Sequence, residues 1–210
     1  MYNLNTPESD IDIKGIYVVP TRDLLVTMDG FHKIDKVYDH TDPDWAYYEV
    51  QKYMSLVMRG NPTALELLFA NDYNILTPLG EMLVANRDAF LSKKRIKDAY
   101  LGYALQQVKR KYRNASDITE YRAGKHVRHT WRLCKQYEQL ATTGTLQPRL
   151  TDEERRECFK FQEKSYNEVL DWFLEEDKRL SELDSVLPEQ PDLSRINQLL
   201  ESVRYAKNTY

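Results

Sequence analysis

Ser9-Asp10-Ile11-Asp12-Ile13-Lys14 alternates polar and apolar side chains without a break. A period of two marks a β-strand with one buried face. Gly15 interrupts the alternation, and Ile16-Tyr17-Val18-Val19 carries the strand on to Pro20. On such a strand Asp10 and Asp12 project side by side from one face, while Ile11 and Ile13 point the other way, toward a core. Adjacent carboxylates repel unless a cation neutralises them. Hard oxygen donors of this kind suit Mg²⁺, which is held by one or two carboxylates together with substrate phosphates. A two-metal site needs a third carboxylate from a neighbouring strand. The bland alternative is an acidic strand facing solvent, the commoner origin of an Asp-x-Asp.

Outward from this strand, residues 23–28, 31–37 and 44–49 read as short strands or turns. From about Tyr47 the period lengthens: Val50, Tyr53, Met54, Val57 and Met58 follow helical spacing. Gly60-Asn61-Pro62 stops that helix, and 63–69 forms the next, with Asn61 or Thr63 as its cap. Beyond residue 77 the pattern is helical over 79–90, 95–112, 125–141, 151–183 and 193–206. Thr151-Asp152-Glu153-Glu154 is a capping box. The expected architecture is α+β, with a small sheet-bearing head over residues 1–75 and a helical lobe over 76–210.

The 210 residues include two cysteines, Cys134 and Cys158, without CxxC spacing. This excludes a disulfide scaffold and a cysteine-rich zinc module and fits a reducing compartment. No apolar run reaches the ~18 residues of a membrane span, and the first residues show no basic and apolar leader. The expectation is a cytoplasmic protein without membrane contact. There is no P-loop, no GxGxxG and no Ser-His-Asp signature.

The net charge of −3 conceals an asymmetry. Residues 1–86 carry 6 Lys/Arg against 13 Asp/Glu, residues 87–135 carry 14 against 4, and residues 151–201 carry 7 against 15. A basic middle between acidic ends has two readings: a phosphate-bearing partner, or helices that neutralise one another. Within it, Lys125, His129 and Arg132 fall at i, i+4 and i+7 beside His126 and Arg128, opposite an apolar stripe of Val127, Trp131, Cys134 and Ala141. The basic stripe is either a phosphate-binding face or a solvated one. Lys93, Lys94, Arg95 and Lys97, with Lys109, Arg110, Lys111 and Arg113, interleave with Tyr100, Tyr103 and Tyr112. They fit a nucleic-acid surface, or an amphipathic helix with its tyrosines in the core. Glu66 is expected to pair with a basic residue under a cleft. His32 and His40 lie in loop-like stretches rich in aspartate; His40, with Asp39, Asp42 and Asp44, reads as a solvated loop rather than a weak metal site.

Several of these motifs, in order, resemble the DNA polymerase β-like nucleotidyltransferase superfamily. In particular they resemble the predicted nucleotidyltransferases of phages and bacteria linked to RNA repair. The resemblance rests on 4–16, on Tyr47-Tyr48-Glu49-Val50-Gln51-Lys52-Tyr53, and on Gly60-Asn61-Pro62 with Glu66-Leu67-Leu68-Phe69. It continues through Phe90-Leu91-Ser92-Lys93, Gly102-Tyr103, Lys125-His126, His129, Arg132-Leu133 and Thr143-Gly144. It covers about residues 2–150.

The resemblance implies Mg²⁺- or Mn²⁺-dependent transfer of a nucleoside monophosphate from a nucleoside triphosphate to a hydroxyl, on RNA or another nucleic-acid end. Asp10 and Asp12 would hold metal, with Glu49 as the third carboxylate and Asp44 as its alternative. Ser9, Lys125, His126, His129 and Arg132 would bind the nucleotide. The superfamily's Gly-Ser turn before the carboxylate strand has no counterpart between Met1 and Asp10. The expectation is therefore either a start placed too late or a catalytically incomplete module that binds nucleotide or nucleic acid. Transfer to a protein hydroxyl is a third possibility.

Overall fold

Three short strands form where β-branched and aromatic residues cluster. β1 is Ile13–Tyr17, β2 is Lys36–Val37 and β3 is Trp45–Glu49, in the spatial order β1-β3-β2. β1 pairs with β3 in parallel, with Ile13 opposite Trp45 and Tyr17 opposite Glu49, and β2 pairs with β3 antiparallel. The structure is a computed structural model that describes residues 2–5, 12–26, 36–37, 45–113 and 120–207. Ser9, Asp10, Ile11, His32, His40 and Asp44 lie outside the described residues. Between β1 and β2, α1 (Thr21–Val26) replaces the strand or turn expected over 23–28. A parallel pair requires such a crossover, because a tight turn joins only antiparallel neighbours.

β3 runs directly into α2 (Val50–Met58), which buries Val50, Tyr53, Met54 and Val57. The chain then turns through Gly60 into α3 (Pro62–Leu68). Asn61 is the cap, its side chain accepting from the Ala64 N–H at 3.1 Å, with Pro62 at the first helical position. α4 (Pro78–Ala85) and a 3₁₀ turn (Arg87–Phe90) lead into two long helices, α5 (Lys93–Arg113) and α6 (Glu120–Thr143). α5 and α6 are antiparallel neighbours: Gln107 meets His126 near one end, and Asp98 acts on Tyr137 near the other.

The single helix expected over 151–183 is two. α7 (Asp152–Phe161) begins at the Thr151 capping box, and α8 (Tyr166–Ser181) begins afresh at Ser165. There the Glu168 carboxylate accepts the Ser165 N–H at 2.8 Å, a second capping box that sets a new start. α9 (Leu193–Lys207) closes the described fold. One apolar cluster runs from Val50 on α2 through α5, α6 and α8 to Val203 on α9. Ile16, Val18 and Tyr48 of the sheet pack against it. The face of β1 toward the helices is thus that of the even-numbered residues, whereas Ile13, expected to point into a core, lies on the other face.

Gly60 and Gly102 make opposite predictions. Gly60 has φ +74°, and a Cβ there would lie 2.6 Å from the Arg95 carbonyl oxygen. Gly102 sits inside α5 with nothing within 4 Å of the same position. Urea denaturation should show Gly60→Ala destabilised by more than about 1 kcal/mol. Gly102→Ala should be stabilised by roughly 0.5–1 kcal/mol, the helix-propensity difference.

Candidate functional site

Asp12 is exposed and immediately precedes β1. Side chains alternate across the sheet, so Asp12 shares a face with Lys14, Ile16, Ala46 and Tyr48. Glu49 belongs to the opposite face, with Gly15, Tyr17, Trp45 and Tyr47. It is also engaged already. Its carboxylate caps α2 by accepting the Gln51 N–H at 2.8 Å, and Arg204 on α9 pairs with it at 2.7 Å. That pairing is ionic rather than a well-aligned hydrogen bond. The same guanidinium donates to the Val19 carbonyl at 3.0 Å, joining α9 to the end of β1. The structure therefore brings Glu49 to Arg204 and not to Asp12. Among the described residues, no group of three or more His, Cys, Asp or Glu is placed to hold a metal ion, and no ion pair reaches Asp12.

On the helical side, α6 places Lys125 in solvent, His126 and His129 half-buried, and Arg132 at 2% exposure. The stripe read from its spacing thus dives from surface to core along its length. Arg132 pairs with Glu66 of α3, itself fully buried, which is the partnership expected for Glu66. Arg132 also donates to Gln136 Oε1 at 3.2 Å and lies 2.9 Å from His129 Nδ1. Burial opposes the Arg132 charge, but Glu66 and the neighbouring Tyr2 and Tyr100 together raise its pKa. His126 Nδ1 lies 2.6 Å from Gln107 Oε1, and Arg128 bonds Gln162 and stacks on Phe159 at 4.8 Å. Of the tyrosines in the basic α5, Tyr100 is fully buried and Tyr103 is partly exposed, accepting from Asn61 at 3.2 Å.

Tyr2 carried no signal in the pattern, yet it completes this cluster. Its hydroxyl donates to Glu66 Oε2 at 2.5 Å, and its ring lies 3.9 Å from the Arg132 guanidinium carbon. Burial, then Glu66, drives the Tyr2 pKa up, and Asp12 adds to the rise. A local motif scan has no means of finding Tyr2, because its partners are 64 and 130 positions away.

The RNA repair pathway DNA polymerase beta family model (RlaP) matches residues 1–208. The chain belongs to this family. An uncharacterized 38.9 kDa protein from the nrdC-mobD intergenic region of Enterobacteria phage T4 is similar, at 29% identity over 118 residues. That stretch is 51% of this chain and 34% of the phage protein, so the chain spans about a third of that relative's length. No solved structure matches. No described helix is long and apolar enough to cross a membrane.

Removing the positive half of a buried pair strands the other charge, so Arg132→Met alone should cost about 3–5 kcal/mol in urea denaturation. Cys134 and Cys158 are buried and free, and burial raises both thiols, Cys158 to about 12. Neither should react with a thiol reagent at pH 8 until the chain unfolds, when both become titratable.

Proposed function

We propose that this protein transfers a nucleoside monophosphate from a nucleoside triphosphate to a hydroxyl on a nucleic-acid end, RNA in particular, in a Mg²⁺- or Mn²⁺-dependent reaction. The family match over residues 1–208 carries this reading. Residues 1–75 form the nucleotidyltransferase head and 76–210 the helical lobe.

Asp10 and Asp12 hold the metal. Asp12 suits the part: it is an exposed hard-oxygen donor at the edge of the sheet, with no described cation paired to it. Glu49 does not suit it, being on the opposite face and held by Arg204. Of the two acids considered for the third carboxylate that leaves Asp44, which lies outside the described residues. When bound, a divalent cation supplies charge neutralisation to the triphosphate and its leaving group.

The acceptor hydroxyl oxygen forms a bond to the α-phosphorus. The bond from that phosphorus to the bridging oxygen breaks, and pyrophosphate departs. The hydroxyl proton passes to a carboxylate oxygen or to water. Ser9 and exposed Lys125, with His126 and His129 along the same helix, orient phosphate oxygens by hydrogen bonding and charge. Arg132, sequestered by Glu66, acts on their placement rather than on phosphate.

The test is label transfer from α-labelled triphosphates to RNA ends, with a protein mixture as the competing acceptor. Asp10→Ala/Asp12→Ala should lower transfer by more than the roughly 10- to 100-fold that loss of an outer-shell partner costs. Transfer that survives the double substitution removes this chemistry. Nucleotide binding without turnover supports a binding module instead, and label on protein rather than RNA reassigns the acceptor.

A further inference from the structure

The basic residues around α5 divide into engaged and available ones. Lys94 pairs with Asp98 at 2.9 Å, and Lys93 faces Glu189 at 3.8 Å. Arg59, Arg95 and Lys109 are exposed, and among the described residues no carboxylate pairs with them. Arg95 donates instead to the Met58 carbonyl at 3.2 Å, at the end of α2. That bond, and the close approach of Gly60 to the Arg95 carbonyl, seat the 59–61 turn against α5.

Helical geometry puts Arg95, Ala99, Gly102, Tyr103, Gln106 and Lys109 on one face of α5. None of the six is buried. The middle of this face is bare: Ala99 is small, and nothing lies within 4 Å of where a Gly102 Cβ would be. Tyr103 stands beside the bare patch with 39% of its surface exposed. Its hydroxyl accepts from Asn61 Nδ2 at 3.2 Å, and Asn61 is itself held as the cap of α3. The ring is thus tethered at both ends, at its Cβ by α5 and at its hydroxyl by the turn. An exposed ring held in this way has less rotamer freedom left for a ligand to remove.

An exposed aromatic ring between available cations suits a single strand, whose bases stack on the ring while its phosphates meet the charges. The surplus of 14 Lys/Arg over 4 Asp/Glu across residues 87–135 favours a polyanion. A duplex keeps its base faces stacked inside and offers none to Tyr103. We propose that this face of α5 is a stacking platform for one base of a single-stranded RNA, with Arg59 and Arg95 at one end and Lys109 at the other taking its phosphates. The proposal rests on the transfer reading above for the role of that RNA, and binding is measured apart from transfer.

The test is fluorescence anisotropy of a labelled single-stranded RNA with the full chain, with inorganic polyphosphate as a competitor that has charge and no bases. Circular dichroism checks that each variant folds. The wild type should bind the RNA more tightly than the matching duplex. Tyr103→Ala should weaken RNA roughly 5- to 150-fold, the worth of one stacked base, and leave polyphosphate unchanged. Tyr103→Phe keeps the ring and should bind more tightly than Tyr103→Ala. Gly102→Glu places a carboxylate over the bare patch, where there is room for it, and should weaken RNA. Arg59→Gln should lower the slope of log affinity against log salt by about 0.7, the share of one phosphate contact on a single strand.

Unchanged RNA affinity in Tyr103→Ala overturns the platform. So does an equal loss for polyphosphate, a duplex bound as tightly as the single strand, or a wild type that binds no RNA. Should Tyr103→Ala fail to fold, Gly102→Glu decides. RNA binding that depends on Tyr103, in a protein that transfers no label to RNA, upholds the platform and removes the transfer reading. Label transfer to RNA that is equal in wild type and Tyr103→Ala, with equal affinity, does the reverse.

Discussion

The Arg132–Glu66 ion pair is the constraint around which the helical part is organised. Glu66 comes from α3 and Arg132 from α6, and both are sealed from water. Two charges removed from solvent are tolerable only when each finds its partner and the remaining lone pairs and protons are used. Tyr2, Gln136 and His129 meet that requirement. Tyr100 on α5 lies within the same electrostatic neighbourhood, its pKa raised first by burial and then by Glu66. Three helices, α3, α5 and α6, and the first described residues are therefore held to one point. Moving α3, α6 or the first described residues leaves a buried charge or a buried polar atom without its complement.

The sheet poses a different constraint, that of sidedness. Parallel pairing in the observed register assigns even-numbered residues to one face and odd-numbered ones to the other. On the even face Ile16, Val18 and Tyr48 meet the helical core, and Asp12 lies at its edge. On the odd face Trp45 and Tyr47 contact edge to face at 6.4 Å, and Glu49 ends the strand by capping α2. Cap and ion pair give Glu49 two structural tasks, both at the junction where β3 becomes α2. An acid at a helix start is favoured by the exposed N–H groups there, irrespective of any metal.

What could be read in the chain was local. The α+β order, the Asn61-Pro62 boundary and the Thr151 capping box depend on residues within a few positions of one another, and the structure contains all three. The strand after Asp12 was legible for the same reason. The break between α7 and α8 was missed because apolar spacing continues across it, although Ser165 and Glu168 carry the same capping signal as Thr151 and Glu154. Within the candidate site, the pairing of Glu66 with a base was foreseeable from its place after Asn61-Pro62, but which base was not. Helical spacing grouped Lys125, His129 and Arg132 as one solvated or phosphate-binding stripe, whereas Arg132 is buried in its pair with Glu66. The spacing said nothing of how deep each would sit, because depth is set by α3 and the Tyr2 ring. The Arg204 contact with Glu49 joins positions 155 apart and leaves no trace in either neighbourhood.

Arg204 also has a bearing on how the chain reaches this shape. It ties the segment after β1 and the start of α2 to a helix far along the chain, and Thr21 meets its backbone as well, 183 positions away. The first described residues in turn wait for Leu150 and Arg155. During translation β1 and β3 emerge before the α9 groups that lock them. Such long closures are slow to form and expose incomplete edges meanwhile. β1 is therefore made well before α9 and acquires its final surroundings only after α9 has followed it.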